Sequence, residues 1–166
     1  MHVSVEAARC ASARAFMTPT ADLERVLTAC AASFKGKPSK NMSQETRIRC
    51  FVDFDKDGKQ ISHLQLPYSS NVSAYGWIGI PIAVLRNGRG PTLYLGAGNH
   101  GDEYEGQIVL ARLIRELDPG AIQGRLIVMP AQNLPAVLAG ARCSPIDAGN
   151  LNRSFPGDPD GSPTAL

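Results

Sequence analysis

What most limits the fold of this chain is the run from Thr92 to Met129, in which two short apolar stretches bracket a helical pattern. Thr92–Leu95 reads as a short buried strand, followed by a loop from Gly96 to Asp102. The spacing then predicts a helix over 103–117, with Ile108, Leu110, Leu113, Ile114 and Leu117 on its buried side. Pro119-Gly120 stops that helix. Leu126–Met129 is the second apolar strand, and 134–139 suggests a further short helix. Strand, helix and strand at this spacing form a βαβ crossover, which sets the two strands parallel in one sheet.

Upstream, Ile48, Cys50, Val52 and Phe54 alternate with Arg49, Phe51 and Asp53, the period of a half-buried strand. Asp55-Lys56-Asp57-Gly58 turns the chain, and Ile61–Leu66 returns as the second strand of a hairpin. Ile78–Leu85 is a third apolar run, ended by the turn signal Asn87-Gly88. Pro81 within it favours an edge or bulged strand, because proline brings no N–H to a ladder. Residues 141–166, rich in Gly, Pro, Asp and Asn, show no regular element of their own.

Residues 1–41 read as a tail outside the functional protein, which is expected to occupy 42–166 from Met42 onward. Ser4–Ala32 is rich in Ala, Arg, Ser and Thr. Leu23, Val26, Leu27 and Cys30 predict a helix over 20–34, and a polar break at 35–41 follows. An organellar leader is the other reading of such a segment, weakened by Glu6, Asp22 and Glu24.

Composition excludes several classes of function. With 17 basic and 15 acidic residues the net charge is +2, which argues against nucleic acid as the main partner. No stretch of roughly 18 apolar residues offers a membrane span. The four cysteines, Cys10, Cys30, Cys50 and Cys143, form no C-x-x-C pair. They read as free thiols of a reducing compartment, and with no secretory signal at the start the expected location is the cytoplasm.

Two segments carry chemistry. The first is Gly98-Asn99-His100-Gly101-Asp102-Glu103-Tyr104-Glu105-Gly106, where the strand hands over to the helix at the carboxyl edge of a parallel pair. His100 and Glu103 are three residues apart, so both side chains can point the same way as the helix begins. An imidazole and a carboxylate are ordinary zinc ligands. By itself, H-x-x-E also describes a solvated histidine ahead of a helix-start glutamate. Asp102 and Glu105 suit the positive end of the helix dipole. The second segment runs from Arg142 to Gly157 and holds Asn152-Arg153 in an irregular loop. Arginine offers a planar fork of donors that matches a carboxylate, and a second arginine can stabilise an oxyanion. Loop arginines paired with Asp147, Asp158 or Asp160 are the alternative.

Taken together, N-H-G-D-E-Y-E-G and, about forty residues on, R-C-S-P-I-D-A-G-N-L-N-R-S-F-P-G resemble the aspartoacylase and succinylglutamate desuccinylase family, relatives of the zinc carboxypeptidases. The likeness runs from roughly Ile48 to Thr164. V-D-F-D-K-D-G-K-Q-I-S and the later Pro-Gly-Asp-Pro-Asp-Gly look nearest the branch of N-acetyl-diaminobutyrate deacetylases. The resemblance implies that His100 and Glu103 bind Zn2+, that Arg142 polarises the carbonyl, and that Asn152 and Arg153 hold the substrate carboxylate. It further implies an α/β fold of the zinc carboxypeptidase kind: the first half of a mixed, mostly parallel sheet with flanking helices, preceded by a β-hairpin.

The family takes its third zinc ligand from a histidine beyond the N-L-N-R loop and its general-base glutamate from further on. Neither His nor Glu follows Arg153 here. The sequence therefore reads as the N-terminal portion of a zinc-dependent deacylase of small N-acyl amino acids, inactive by itself. A metallocarboxypeptidase and a noncatalytic remnant are the competing readings. His2 and His63 read as surface or packing histidines.

Overall fold

The structure is a computed structural model, and it describes residues 46–166 apart from Ser73. The tail 1–41, its helix over 20–34, Cys10, Cys30 and His2 lie outside the described residues.

Strand β1 (Arg49–Cys50) leads into β2 (Gly58–Pro67), β3 (Trp77–Asn87) and β4 (Thr92–Gly96). Helix α1 (Tyr104–Glu116), a single 3-10 turn at Pro119–Ala121 and β5 (Gly124–Met129) follow. Two short helices close the order, α2 (Leu134–Ala139) and α3 (Leu151–Ser154). The sheet runs β1-β2-β3-β5-β4. The βαβ crossover is present: β4 and β5 pair in parallel, with Thr92 opposite Arg125 and Gly96 opposite Met129. The class is α/β with a mixed sheet and flanking helices, as the pattern predicts. The other three pairings, β1–β2, β2–β3 and β3–β5, are antiparallel, so among the described strands the sheet is not mostly parallel. The hairpin does not precede the sheet but forms part of it: β2 supplies two of those antiparallel ladders, and the long-range pairing of β3 with β5 supplies the third.

Four further expectations change. The strand expected over Ile48–Phe54 shortens to Arg49–Cys50, and Val52 drops into the core from an irregular stretch. The long hairpin partner of β2 is β3 instead, in register from Gly58 opposite Arg86 to Pro67 opposite Trp77. Pro81 sits on a strand that is interior to the sheet, yet at a point where only β2 flanks it. Pairing of β3 with β5 covers only Ala83 to Asn87, so no ladder partner on that side loses a donor. Residues 141–166 do contain an element, α3, a single turn whose N-cap Asn150 accepts from Asn152 N.

Side chains of β3 alternate between two clusters, as a strand buried on both faces must. Ala83 and Leu85 join Ala97, Leu110, Ile114, Leu126 and Val128 under α1. On the opposite face Ile82 and Val84 pack with Val52, and with Phe54, Leu64, Ile127 and Met129 around them. Burying each large aliphatic side chain stabilises by about 1.5–3 kcal/mol. Helix α1 turns Leu110 and Ile114 inward, with Leu113 and Leu117 half-buried behind them. Ile108, expected on that buried side, is 65% exposed, and the neighbouring Val109 is 61% exposed. The apolar stripe of α1 is thus narrower than its composition suggests.

What the fold does for function is to lash the loops at the carboxyl ends of β4 and β5 together. Ala97 N donates to Met129 O, Gln132 N to Ala97 O and Asn133 N to Gly98 O, all at 2.9–3.0 Å. Gly101 N donates to Ala141 O at 2.8 Å, which brings the start of the 141–157 loop against the turn before α1. Gly101 must be glycine, because a Cβ there would occupy the backbone of Ala136.

Candidate active site

The turn between β4 and α1 exposes Asp102 and Tyr104 but buries His100 to 6%. Glu103 occupies the N-cap position of α1 and makes no side-chain capping bond. Its carboxylate is turned back instead, placing Oε1 2.9 Å from Nδ1 of His100. Gln107 braces the turn from within the helix, donating to the carbonyls of Gly101 and Glu103 at 3.3 and 3.1 Å.

The other ring nitrogen reaches the second motif. Nε2 of His100 lies 3.2 Å from Oδ1 of Asn150. That oxygen also accepts the backbone N–H of Asn152 at 3.1 Å, which identifies it as the acceptor end of the amide. Nε2 therefore carries a hydrogen and donates it to Asn150. In the neutral ring this leaves the Nδ1 lone pair facing a carboxylate oxygen, and two such atoms side by side call for a cation. A proton is one answer and a metal ion the other.

The pair fits zinc. Tetrahedral ligands with bonds of about 2.0–2.1 Å stand about 3.3 Å apart, so His100 and Glu103 would need to open by only about 0.4 Å. A ligating histidine whose second N–H is held by an oxygen is also the usual outer support of a zinc site. Among the described residues no group of three or more His, Cys, Asp and Glu comes together. His63, the other described histidine, stacks on Trp77 with ring centroids 4.8 Å apart, a packing role.

Arg142 enters from the second motif and sets Nη1 3.5 Å from the same Glu103 Oε1. Its side chain is 58% exposed and that of Glu103 37%, so water screens the pair. The alternative of arginines paired with Asp147 is not what the loop contains. Asp147 accepts instead from Gly149 N, Thr164 N and the Thr164 hydroxyl, at 3.0, 2.7 and 2.6 Å. Asn152 and Arg153 follow Asn150 on the exposed turn of α3.

The structure thus brings His100, Glu103 and Arg142 into direct contact and puts Asn152 and Arg153 on the adjoining turn. Sequence reasoning missed Asn150, which links the two motifs. Its signal was present as an N-cap residue ahead of a possible helical turn, two positions before Asn152. An apolar cleft lined by Ile48, Leu66, Ile80, Pro135, Ile146 and Leu151 adjoins the loop, but His100, Glu103, Arg142 and Arg153 are not among its walls.

Comparison with known proteins is consistent along this stretch. Residues 89–166 match the succinylglutamate desuccinylase/aspartoacylase catalytic domain. The chain is 54% identical over 117 residues to the N-alpha-acetyl-L-2,4-diaminobutyric acid deacetylase of Halomonas elongata, covering 70% of this chain and 34% of that protein. It therefore spans about a third of that relative's length. Among solved structures, the product-bound ectoine utilization protein EutE (DoeB) of Ruegeria pomeroyi superposes with a TM-score of 0.72 at 49% identity, over 74% of this chain and 37% of that one. A succinylglutamate desuccinylase/aspartoacylase from Rhodobacter sphaeroides gives 0.70, also at 49% identity, over 72% and 36%.

Proposed function

The chain belongs to the succinylglutamate desuccinylase/aspartoacylase family, and from that premise we propose that its chemistry is that of a zinc-dependent deacylase hydrolysing the amide of a small N-acyl amino acid. N-acetyl-L-2,4-diaminobutyrate is the substrate we put first, on the strength of the Halomonas elongata relative. The observation that carries the reading is the buried His100, with Nδ1 against the Glu103 carboxylate and Nε2 tied off by Asn150.

His100 and Glu103 are the residues that would hold the ion. Zinc bound there would supply Lewis-acid polarisation of the scissile carbonyl and a more acidic water. Asn150 keeps the hydrogen of His100 on Nε2, so that Nδ1 presents its lone pair on the side of Glu103. Arg142, anchored beside Glu103, is placed to donate to the carbonyl oxygen as it gains charge. Arg153, with Asn152 beside it, offers a bidentate fork for the carboxylate of the amino acid. Among the described residues these two side chains are one short of the three protein ligands of a catalytic zinc, so the chain by itself should hold zinc loosely and turn over little substrate. The free thiols Cys50 and Cys143 fit a reducing cytoplasm, and a small molecule is the only partner the reading needs.

Two measurements test this. Zinc titration against a competing chelator should show weak binding that His100→Ala removes. Joined to the part of the Halomonas elongata relative that it does not span, the chain should release acetate from N-acetyl-L-2,4-diaminobutyrate. Binding that survives His100→Ala, or a joined protein that is folded, zinc-loaded and inert toward N-acyl amino acids, would refute the proposal.

A further inference from the structure

The loop that carries Asn150 has an anchor of its own. Asp147 lies three residues before Asn150. Its Oδ1 accepts from Gly149 N and from the Thr164 hydroxyl, and its Oδ2 from Thr164 N. Gly149 in turn offers its carbonyl to Ser144 N at 2.9 Å. A side chain at 149 would run into the Thr164 side chain, so the Gly149 backbone lies close against that side chain. Between Asp147 and Gly149, Ala148 adopts φ 55, a left-handed conformation that an L-residue keeps only where its surroundings hold it there. One carboxylate thus bridges across the strained Ala148 to Gly149 N, within a ring that the Ser144 N–Gly149 O bond closes, and pins that ring to residue 164. The residue that follows is the one that meets His100.

We infer that Asp147 is a positioning residue of the candidate site: by holding Gly149 against Thr164 it sets the amide oxygen of Asn150 where Nε2 of His100 donates to it. Without the carboxylate, Gly149 N, Thr164 N and the Thr164 hydroxyl lose their shared acceptor. Ala148 is then free to return to negative φ, and that rotation carries residues 149 and 150 away from the imidazole. The value of this placement for catalysis rests on the reading of His100 as a ligand, but the placement itself does not.

The test uses the full chain, with the His100 imidazole followed by proton–nitrogen correlation NMR and Zn2+ as a separate probe. His100 should carry a hydrogen-bonded proton on Nε2, and the amides of Gly149 and Thr164 should exchange slowly. Asp147→Ala should reproduce the His100 signature of Asn150→Ala, although it leaves Asn150 in place. Thr164→Val removes a single donor and should shift His100 in the same direction by less. It keeps the inference open to refutation if Asp147→Ala does not fold. Arg47→Ala releases the same loop from its bonds at Pro159 and Gly161 and should leave His100 where it is. The inference is overturned if exchange quickens at 149 and 164 with His100 unmoved, or if Arg47→Ala shifts His100 as far as Asp147→Ala does. Zn2+ affinity should drop about tenfold or more in Asp147→Ala, as for loss of an outer partner. If the unmodified chain binds no Zn2+, the metal reading fails, while the imidazole signature still decides the role of Asp147.

Discussion

His100 and Asn150, fifty residues apart in the chain, meet through Nε2 and Oδ1 at 3.2 Å, and this bond joins the β4–α1 turn to the loop that bears Arg153. It ties together two segments that the sequence presents separately, and it fixes which nitrogen of His100 is left to face Glu103. Removing it should cost affinity for metal more than it costs stability. Asn150→Ala is expected to weaken Zn2+ binding by about 10–100-fold and to lower the unfolding free energy by about 1 kcal/mol, the size of a lost N-cap. Competition titration with a chelator and a urea melt read the two effects separately. Equal Zn2+ affinity in the two proteins would mean that the bond plays no part in metal binding.

A second expectation concerns Gly101 in the same turn. Gly101→Ala would push a methyl group into the Ala136 backbone and break the contact by which Gly101 N reaches Ala141 O. The loss should be about 3 kcal/mol or more, because neither backbone can yield without dismantling α2. Gly88→Ala is the control. Unlike Gly101 it has positive φ, at 63°, and a methyl there meets nothing within 4 Å. Its cost should be confined to the left-handed backbone, about 1–2 kcal/mol. Thermal or urea unfolding of the two variants checks the ranking, and similar losses would contradict it.

How much of this was legible beforehand depended on whether the signal was local. The β4–α1–β5 crossover was readable because its apolar periods and its Pro119-Gly120 stop all lie within the segment itself. Pairing of β3 with β5 was not, since nothing in Ile78–Leu85 says which strand will lie on its far side. The same limit explains Ile108: its spacing puts it near the buried stripe, but the width of that stripe is set by what packs against α1. At the site, His100 and Glu103 could be paired by their spacing of three. Arg142 against Glu103 and Asn150 against His100 are contacts across long separations; the family likeness assigned Arg142 and Glu103 to one site but pointed to neither contact. The bonds of Asp147 to Thr164 had no sequence signature at all.

The two faces of that comparison can be measured. Leu85 is fully buried at the centre of the α1-side cluster, and Leu85→Ala should cost about 2–5 kcal/mol through lost transfer energy and the cavity left behind. Ile108→Ser on the exposed side of α1 should stay within about 0.5 kcal/mol. A large loss at Ile108 would show that something covers that side of the helix in solution.

Arg142 and Arg153 should separate kinetically in the joined, active protein. If Arg153 grips the carboxylate in ground and transition states alike, Arg153→Ala should chiefly raise KM. Losing an oxyanion donor at Arg142 should chiefly lower kcat, by about a hundredfold or more. A carboxamide analogue of the substrate should reproduce the Arg153 defect and leave the Arg142 defect untouched. If the carboxamide binds as well as the acid, or Arg142→Ala keeps its kcat, both arginines are structural.

The last expectation concerns pH and the carboxylate of Asp147. Burial alone would raise its pKa. Hydrogen bonds from the Thr164 side chain and backbone, from Gly149 N and from the Ser162 side chain outweigh that and hold it at about 2, against an ordinary 3.8. Because the folded value lies below the unfolded one, the unfolded chain takes up the proton first as pH falls. The stabilisation is therefore fully present above the unfolded value and drains away between about pH 5 and pH 2. With the carboxylate partly open to solvent, its contribution should be about 1–2 kcal/mol rather than the full value of the shift. Urea midpoints at about pH 6 and about pH 3 should differ more for the unmodified chain than for Asp147→Asn. The other carboxylates are common to both proteins, so the difference between the two pH dependences is assigned to Asp147. Parallel pH dependences would mean that Asp147 does not hold the loop through its charge, and would remove the electrostatic part of its grip on residue 164.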